Sequence, residues 1–226
     1  MERILLAKQR LEKQRGTDGD EPTKDRPVHE SAALGIAREA LTLVRDEVWQ
    51  LPLDQAGHER VLVVEFTVRA LTGAEDQIQR TAPFAESLGK EYGGPVQSLR
   101  YELNPGDSEI EEAVAAAAGC DRILVATQNV AAYPGQAGLV RALTASGKPV
   151  LVVALRNPYD LEAFPEVKTY LAAYSYQPCA LQAASEAITG RLKPTGRLPV
   201  TIPGLYPYGH GLTAWADAPR GEAPTK

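Results

Sequence analysis

The clearest pattern in the chain is an apolar run from Val150 to Leu155 that has no polar residue at alternate positions. A strand of this kind buries both of its faces, as a parallel strand does between two layers of helices. Pro158 lacks the N–H that a sheet ladder needs, and it biases Asn157 away from helical backbone angles. The strand is therefore predicted to stop before Pro158, with polar side chains gathered at its carboxyl end.

Similar apolar segments alternate with helical patterns along most of the chain. The predicted strands cover residues 60–67, 96–103, 122–129, 149–156 and 168–175. The predicted helices cover residues 30–48, 76–92, 107–119, 139–147 and 181–188, with Asp107 or Ser108 as the N-cap of the third. This alternation predicts right-handed crossovers and a mostly parallel sheet.

The predicted fold is a three-layer α/β/α sandwich with a mostly parallel sheet of five or six strands. A closed (β/α)8 barrel needs more units than this chain provides. The segment 196–203 places Pro199 and Pro203 around a short alternating stretch, which is typical of an edge strand and favours an antiparallel one.

Four regions are predicted from composition and periodicity. Residues 1–15 have helical spacing and precede a linker, residues 16–29, that is rich in charge, Gly and Pro. The α/β sandwich domain is predicted over residues 30–213. Residues 214–226 are expected to be a loose tail.

The composition is that of an ordinary globular chain. Of the 226 residues, 44% are hydrophobic and 23% are charged, and no apolar run approaches the length of a bilayer span. The 24 basic and 29 acidic residues are interspersed, so neither a nucleic acid nor a membrane partner is expected. Cys120 and Cys179 lack metal-type spacing and predict two small, buried free thiols, and the chain as written is expected to be cytoplasmic.

Polar side chains follow the predicted strands at the sheet edge where α/β proteins usually bind ligands. Asp160 follows Asn-Pro-Tyr in the position of a helix or turn N-cap. Arg156 leaves the buried strand directly into the same loop, where it could pair with Asp160 or with a partner surface. Glu65 and Glu102 are further carboxylates at strand ends, of which Glu102 is interpreted as a solvated charge.

Familiar catalytic and cofactor patterns are mostly absent from the sequence. The segment after the first strand has one glycine where a dinucleotide fingerprint needs three, and a phosphate-binding Gly-Lys-Ser/Thr loop is missing. No metal or other cofactor is predicted, because three widely spaced histidines do not make a zinc site. An assembly of Ser175, His210 and Asp160 remains a possible serine hydrolase site.

Two segments carry a resemblance to a known family. The sequences GKPVLVVALRNPYDL (147–161) and GRLPVTIP (196–203) resemble the C-terminal domain of glycoside hydrolase family 3, in the same order and spacing. The segment EALTLVRDEVWQLPL (39–53) is similar to the family's entry into its first strand. The likeness is greatest to bacterial two-domain β-N-acetylhexosaminidases and spans roughly residues 30–212.

The resemblance implies a domain that works beside another domain. In this family an N-terminal (β/α)8 barrel carries the aspartate nucleophile, and residues 1–15 resemble the closing helix of that barrel. The barrel's Lys-His-Phe and Ser-Asp motifs have no match here, so both catalytic roles are expected to lie outside these residues. The implied partners are a catalytic barrel and a carbohydrate, and the parent protein could be secreted.

The resemblance also implies which residues face the barrel or the outer part of its sugar site. These candidates are Gln128, Asn129, Arg156, Asn157, Tyr159 and Asp160, and none is expected to be catalytic. An isolated domain of this kind would expose apolar surface, including Ile4, Leu5 and Leu11, which favours a homo-oligomer. A free-standing carbohydrate-binding or regulatory module of the same fold is the alternative function.

Overall fold

The computed structural model describes residues 26–48, 51–53, 56–67 and 83–213. Its helices are α1 (Arg26–Ala40), α2 (Phe84–Glu91), α3 (Asp107–Ala117), α4 (Gly135–Ala145) and α5 (Pro178–Ile188), with a 3-10 helix at Pro158–Ala163. Its strands are β1 (Thr42–Asp46), β2 (Val61–Phe66), β3 (Val96–Tyr101), β4 (Arg122–Thr127), β5 (Val150–Ala154) and β6 (Thr169–Ala172).

The six strands form one sheet in the order β1-β6-β5-β4-β2-β3. All neighbouring pairs are parallel except β1 and β6, which are antiparallel. One hydrophobic core joins the sheet to α3 and α4, and a second core joins the other face to α2 and α5. The predicted α/β sandwich with a mostly parallel sheet is confirmed.

The central strands are apolar throughout because both of their faces are covered. Successive residues of β5 alternate between the two cores, so Val152 lies in the α3/α4 core and Val153 in the α2/α5 core. Every residue of β2 and β5 is buried. The apolar run at 150–155 is thus continuous because both faces of β5 are buried, as predicted from the sequence.

The helix predicted over residues 30–48 is wrong at its carboxyl end. The helix α1 stops at Ala40, and Thr42–Asp46 forms the edge strand β1, whose residues are all buried. Leu43 and Val44 lie in opposite cores, as successive residues of a strand do. Leu41, Val44 and Val48 are also spaced as on one face of a helix, which is why the periodicity predicted a helix here.

The sheet has the predicted antiparallel edge strand, which is β1, but the expected position of this strand at residues 196–203 is wrong. That segment makes a single bridge, between Ile202 and Tyr206, because Pro199 and Pro203 supply no N–H for a ladder. Residues after it instead cover the outer edge of β1. Leu212 bridges Leu43, and His210 Nε2 donates to the Val44 carbonyl over 2.8 Å.

Other boundaries differ in detail. The N-cap of α3 is Gly106, whose N–H donates to the Glu109 carboxylate over 2.8 Å, and not Asp107 or Ser108. The predicted helix at 76–92 is described only from residue 83 onward. Residues 1–25 and the tail at 214–226 lie outside the described residues, so their predicted roles stay predictions.

Candidate functional site

A cleft of about 480 Å³ lies at the carboxyl edge of the sheet, beyond the ends of β4 and β5. One wall is the loop from β4 to α4, and the other is the 3-10 helix that follows β5. The lining residues are Asn129, Ala131, Ala132, Asn157, Tyr159, Asp160, Glu162 and Ala163. Four of the six candidate residues from the sequence therefore line one cleft.

Asp160 lies at the base of this cleft and joins its two walls. Its carboxylate accepts hydrogen bonds from the Thr127 hydroxyl and from the Val130 N–H, both over 2.9 Å. The residue is 3% exposed. Burial raises the pKa of Asp160 to about 6, although the two hydrogen bonds offset part of that effect. Asp160 thus connects the 3-10 helix to the loop that follows β4.

The capping role predicted for Asp160 belongs to Asn157. The side chain of Asn157 accepts from the Tyr159 N–H over 3.0 Å and caps the 3-10 helix. The same side chain donates to Asn129 Oδ1 over 2.8 Å, which makes a second link between the walls. Asn129 has a left-handed backbone, with φ of 53°, a conformation that asparagine tolerates better than most residues.

Gln136, on the first turn of α4, holds the same edge together and was not a candidate from the sequence. Its amide Nε2 donates to the carbonyls of Leu103 (2.9 Å) and Gln128 (3.0 Å). Its Oε1 accepts from the Gln128 N–H over 3.0 Å. One fully buried side chain therefore satisfies three backbone groups from the ends of two strands.

Gln128 and Arg156 are not among the residues that line the cleft. Gln128 is 2% exposed, and its Nε2 has no hydrogen-bond partner within the part of the chain that the structure describes. The guanidinium of Arg156 lies over the Tyr176 ring, 4.9 Å from its centroid. The sequence left open a pairing of Arg156 with Asp160 or with a partner surface, and the described hydrogen bonds of Asp160 come from Thr127 and Val130.

The carboxylate of Glu65 has a structural role. It is buried, accepts from the Phe84 N–H at the start of α2 over 2.7 Å, and pairs with Arg100 over 3.1 Å. A carboxylate at a helix N-terminus satisfies an otherwise unpaired N–H group. Glu102 is exposed.

The hypothetical hydrolase residues do not bond to one another. The Ser175 hydroxyl accepts from the Gln177 N–H over 3.1 Å, and His210 bonds to Val44. Asp160 bonds to Thr127 and Val130. A nucleophile, base and orienting acid must share hydrogen bonds to act together, and these three side chains have separate partners.

The described residues contain no group of side chains placed to hold a metal ion, no disulfide and no membrane-spanning helix. Across 26–48, 51–53, 56–67 and 83–213, no group of three His, Cys, Asp or Glu side chains is placed to hold a metal ion. Cys120 and Cys179 are both free, but Cys179 is half-buried, so the predicted burial is confirmed for Cys120 and wrong for Cys179. Of the helices in these same ranges, none is long and apolar enough to cross a membrane.

The chain matches one family model in sequence and several solved structures in fold. Residues 41–214 match the family model described as the glycosyl hydrolase family 3 C-terminal domain. A family 3 β-N-acetylglucosaminidase from Paenibacillus sp. matches with 28% identity and a TM-score of 0.71, over 82% of this chain and 34% of that one. No sequence among curated proteins matches the chain.

Two further solved structures are similar. A fungal multi-domain family 3 β-N-acetylglucosaminidase matches with 26% identity and a TM-score of 0.68, over 84% of this chain and 21% of that one. A β-glucosidase from Listeria innocua, in complex with isofagomine, matches in fold with 17% identity and a TM-score of 0.68, over 84% of this chain and 29% of that one. The chain thus spans about a third or less of the length of these proteins.

Proposed function

The chain belongs to the family of glycosyl hydrolase family 3 C-terminal domains, and we propose that it is a non-catalytic second domain of a hydrolase of β-linked sugars such as β-N-acetylglucosaminides. Its family match covers most of the described sandwich. The two β-N-acetylglucosaminidases share 26–28% identity with it, which supports this substrate class.

One observation carries the proposal that the domain is not catalytic alone. The buried carboxylates at the carboxyl edge, Asp160 and Glu65, accept hydrogen bonds from backbone N–H groups and hold the loops and helices in place. Glycoside hydrolysis generally needs two carboxyl groups that face the sugar and flank the scissile bond. Asp160 and Glu65 are occupied by structural bonds, and Glu162 is the one other carboxylate among the described cleft-lining residues, so the cleft lacks a free pair.

The cleft is the part of the domain that we propose faces a catalytic barrel and the outer part of its sugar site. Its walls are joined by Asp160 and by the Asn129–Asn157 bond, so both loops contribute to one surface. Tyr159 is 43% exposed at this surface. An exposed aromatic side chain at such a surface suits contact with a neighbouring domain or with the ring of a sugar.

The same cleft favours a second candidate, a free-standing carbohydrate-binding module. It combines the Tyr159 ring with the amides of Asn129 and Asn157 and the exposed Glu162 carboxylate. Aromatic faces and amide or carboxylate groups together can stack on a sugar ring and bond its hydroxyls. A module of this kind would bind its sugar without any barrel.

Calorimetric titration of the pure chain with N-acetylglucosamine separates the two candidates. A second domain that needs its barrel is expected to give no measurable heat up to about 10 mM sugar, a range that reveals millimolar Kd values. Saturable heat that Tyr159→Ala abolishes would instead establish the binding module. Tyr208→Ala, which removes a 74% exposed tyrosine that is not among the cleft-lining residues, is the matched control.

A further inference from the structure

We propose that Asp160 is a proton-sensitive clamp, which holds the two walls of the cleft together when it is protonated and loosens them when it ionises. The clamp would regulate the carboxyl edge of the sheet, which the proposed function assigns to contact with a barrel. The pH dependence of the clamp is a property of the isolated chain, however, so a negative result would leave the proposed function standing.

The clamp is built across two elements that are distant in sequence. Asp160 belongs to the 3-10 helix after β5, whereas Thr127 ends β4 and Val130 lies in the loop beyond it. All three residues are buried. The remaining link between the walls, from Asn157 to Asn129, joins two amides that do not titrate. Of these two links between the walls, Asp160 is therefore the one that can titrate.

Asp160 can form both hydrogen bonds in either protonation state, but the ionised state also carries the free-energy cost of a buried charge. When ionised, the carboxylate accepts from Thr127 and Val130 while its charge is buried. When protonated, one oxygen still accepts from the Val130 N–H, and the other donates to the Thr127 hydroxyl, which can act as acceptor as well as donor. The neutral state keeps both bonds without a buried charge, and the ionised state gains by opening to water.

The charged and titratable groups around the clamp do not stabilise the ionised form. On β6, the Tyr170 hydroxyl donates to the Pro158 carbonyl. Burial, and to a smaller extent the nearby charge of Asp160, raises the pKa of Tyr170. On α4, Arg141 donates to the Ala163 carbonyl and lies 3.9 Å from Glu166.

Two more charged groups flank the clamp within its own loop. Glu162 is an exposed acid on the 3-10 helix, and Arg156 stacks on Tyr176. Burial is the largest influence on Asp160, and it raises the pKa of that carboxyl to about 6.

The direction of the effect follows from this raised pKa. A carboxyl whose pKa is higher in the folded state than in the unfolded state contributes stability below the unfolded value, about 4, and that stability is lost as the pH rises through about 6. The same relation applies to local opening of the loops. Between about pH 5 and about pH 7, the closed state is expected to lose roughly tenfold in population relative to the open state.

The test is NMR on the full chain, with Asp160→Asn and Glu162→Gln as variants. The ¹³C signal of the Asp160 carboxyl is expected to titrate near pH 6. Protection of the Val130 amide from hydrogen exchange, corrected for intrinsic rates, is expected to fall roughly tenfold between about pH 5 and about pH 7. Asp160→Asn, which keeps an acceptor for Val130 and a donor for Thr127, should remove this pH dependence.

Glu162→Gln is the matched control, because it removes an exposed acid from the same 3-10 helix and should leave the wild-type profile intact. An Asp160 midpoint below about pH 4.5 would overturn the proposal, since an ordinary carboxyl titrates near 4. Val130 protection that stays constant with pH would overturn it as well. Both measurements on the wild-type chain are decisive even if a variant fails to fold.

Discussion

Replacing Gln136 by alanine is expected to lower the free energy of unfolding by about 4 kcal/mol. The substitution leaves the carbonyls of Leu103 and Gln128 and the N–H of Gln128 without the partners that they have in the folded chain. Each buried, unsatisfied polar group costs roughly 1–3 kcal/mol, and Gln136 is fully buried, so water does not replace the lost bonds.

Urea unfolding monitored by circular dichroism measures this effect. Gln136→Glu keeps the size of the side chain but replaces the two donated bonds by repulsion between a carboxylate and two carbonyls, so we expect a loss at least as large. Gln182→Ala is the control, since it removes one bond, to Glu186 over 3.0 Å, from a half-buried glutamine and should cost at most about 1 kcal/mol. Gln136 variants as stable as this control would refute the role given to Gln136.

Replacing Gly135 by alanine is expected to cost about 3 kcal/mol, for a different reason. A methyl group at this position would overlap the Pro105 carbonyl oxygen and would lie 2.9 Å from Asn104 Oδ1. Both neighbours belong to the loop after β3, and Asn104 accepts from the Gly135 N–H over 2.8 Å. The loop or the start of α4 must therefore move, and this displaces the adjacent Gln136.

Gly89→Ala is the matched control for the Gly135 substitution. Gly89 lies inside α2, and apart from its two chain neighbours and the backbone of its own helix no atom lies within 4 Å of the position that an added methyl group would take. Alanine there should therefore raise the unfolding free energy by roughly 0.5–1 kcal/mol. The two variants make the same chemical change within helices. A difference between them of less than about 1 kcal/mol would show that close packing at Gly135 does not limit stability.

The parallel core of the sheet was predictable because burial on both faces leaves a strong trace in the sequence. Val150–Leu155 shows this directly, since a strand covered by helices has no reason to alternate with polar residues. The carboxyl edge of the sheet was predictable for a related reason, because Pro158 stops the strand and polar residues follow it.

The edge strand β1 was not predictable by the same reasoning. Leu41, Val44 and Val48 are spaced as in a helix, and five residues are too few to show which period applies. Burial of Arg45 depends on acceptors far along the chain, the carbonyls of Pro165 and Val167. Partners more than a hundred residues away leave no local signal.

The role of Gln136 was hidden for the same physical reason. A glutamine on the first turn of a helix is ordinary in sequence, and only the packing of α4 against the ends of β3 and β4 gives its amide three backbone partners. Asp160 was placed at the correct edge, but its partners, Thr127 and Val130, lie about thirty residues earlier. The sequence thus predicted which residues lie at the carboxyl edge of the sheet, but it did not predict their hydrogen-bond partners.

The most direct test of the central claim is hydrolysis of 4-nitrophenyl N-acetyl-β-D-glucosaminide by the pure 226-residue chain. As a second domain without its barrel, the chain is predicted to release no nitrophenol above the rate of buffer. Asp160→Asn and Ser175→Ala, each verified to be folded, are predicted to be indistinguishable from the wild-type chain. Robust turnover that either substitution abolishes would contradict the account, because it would place a complete active site within this domain.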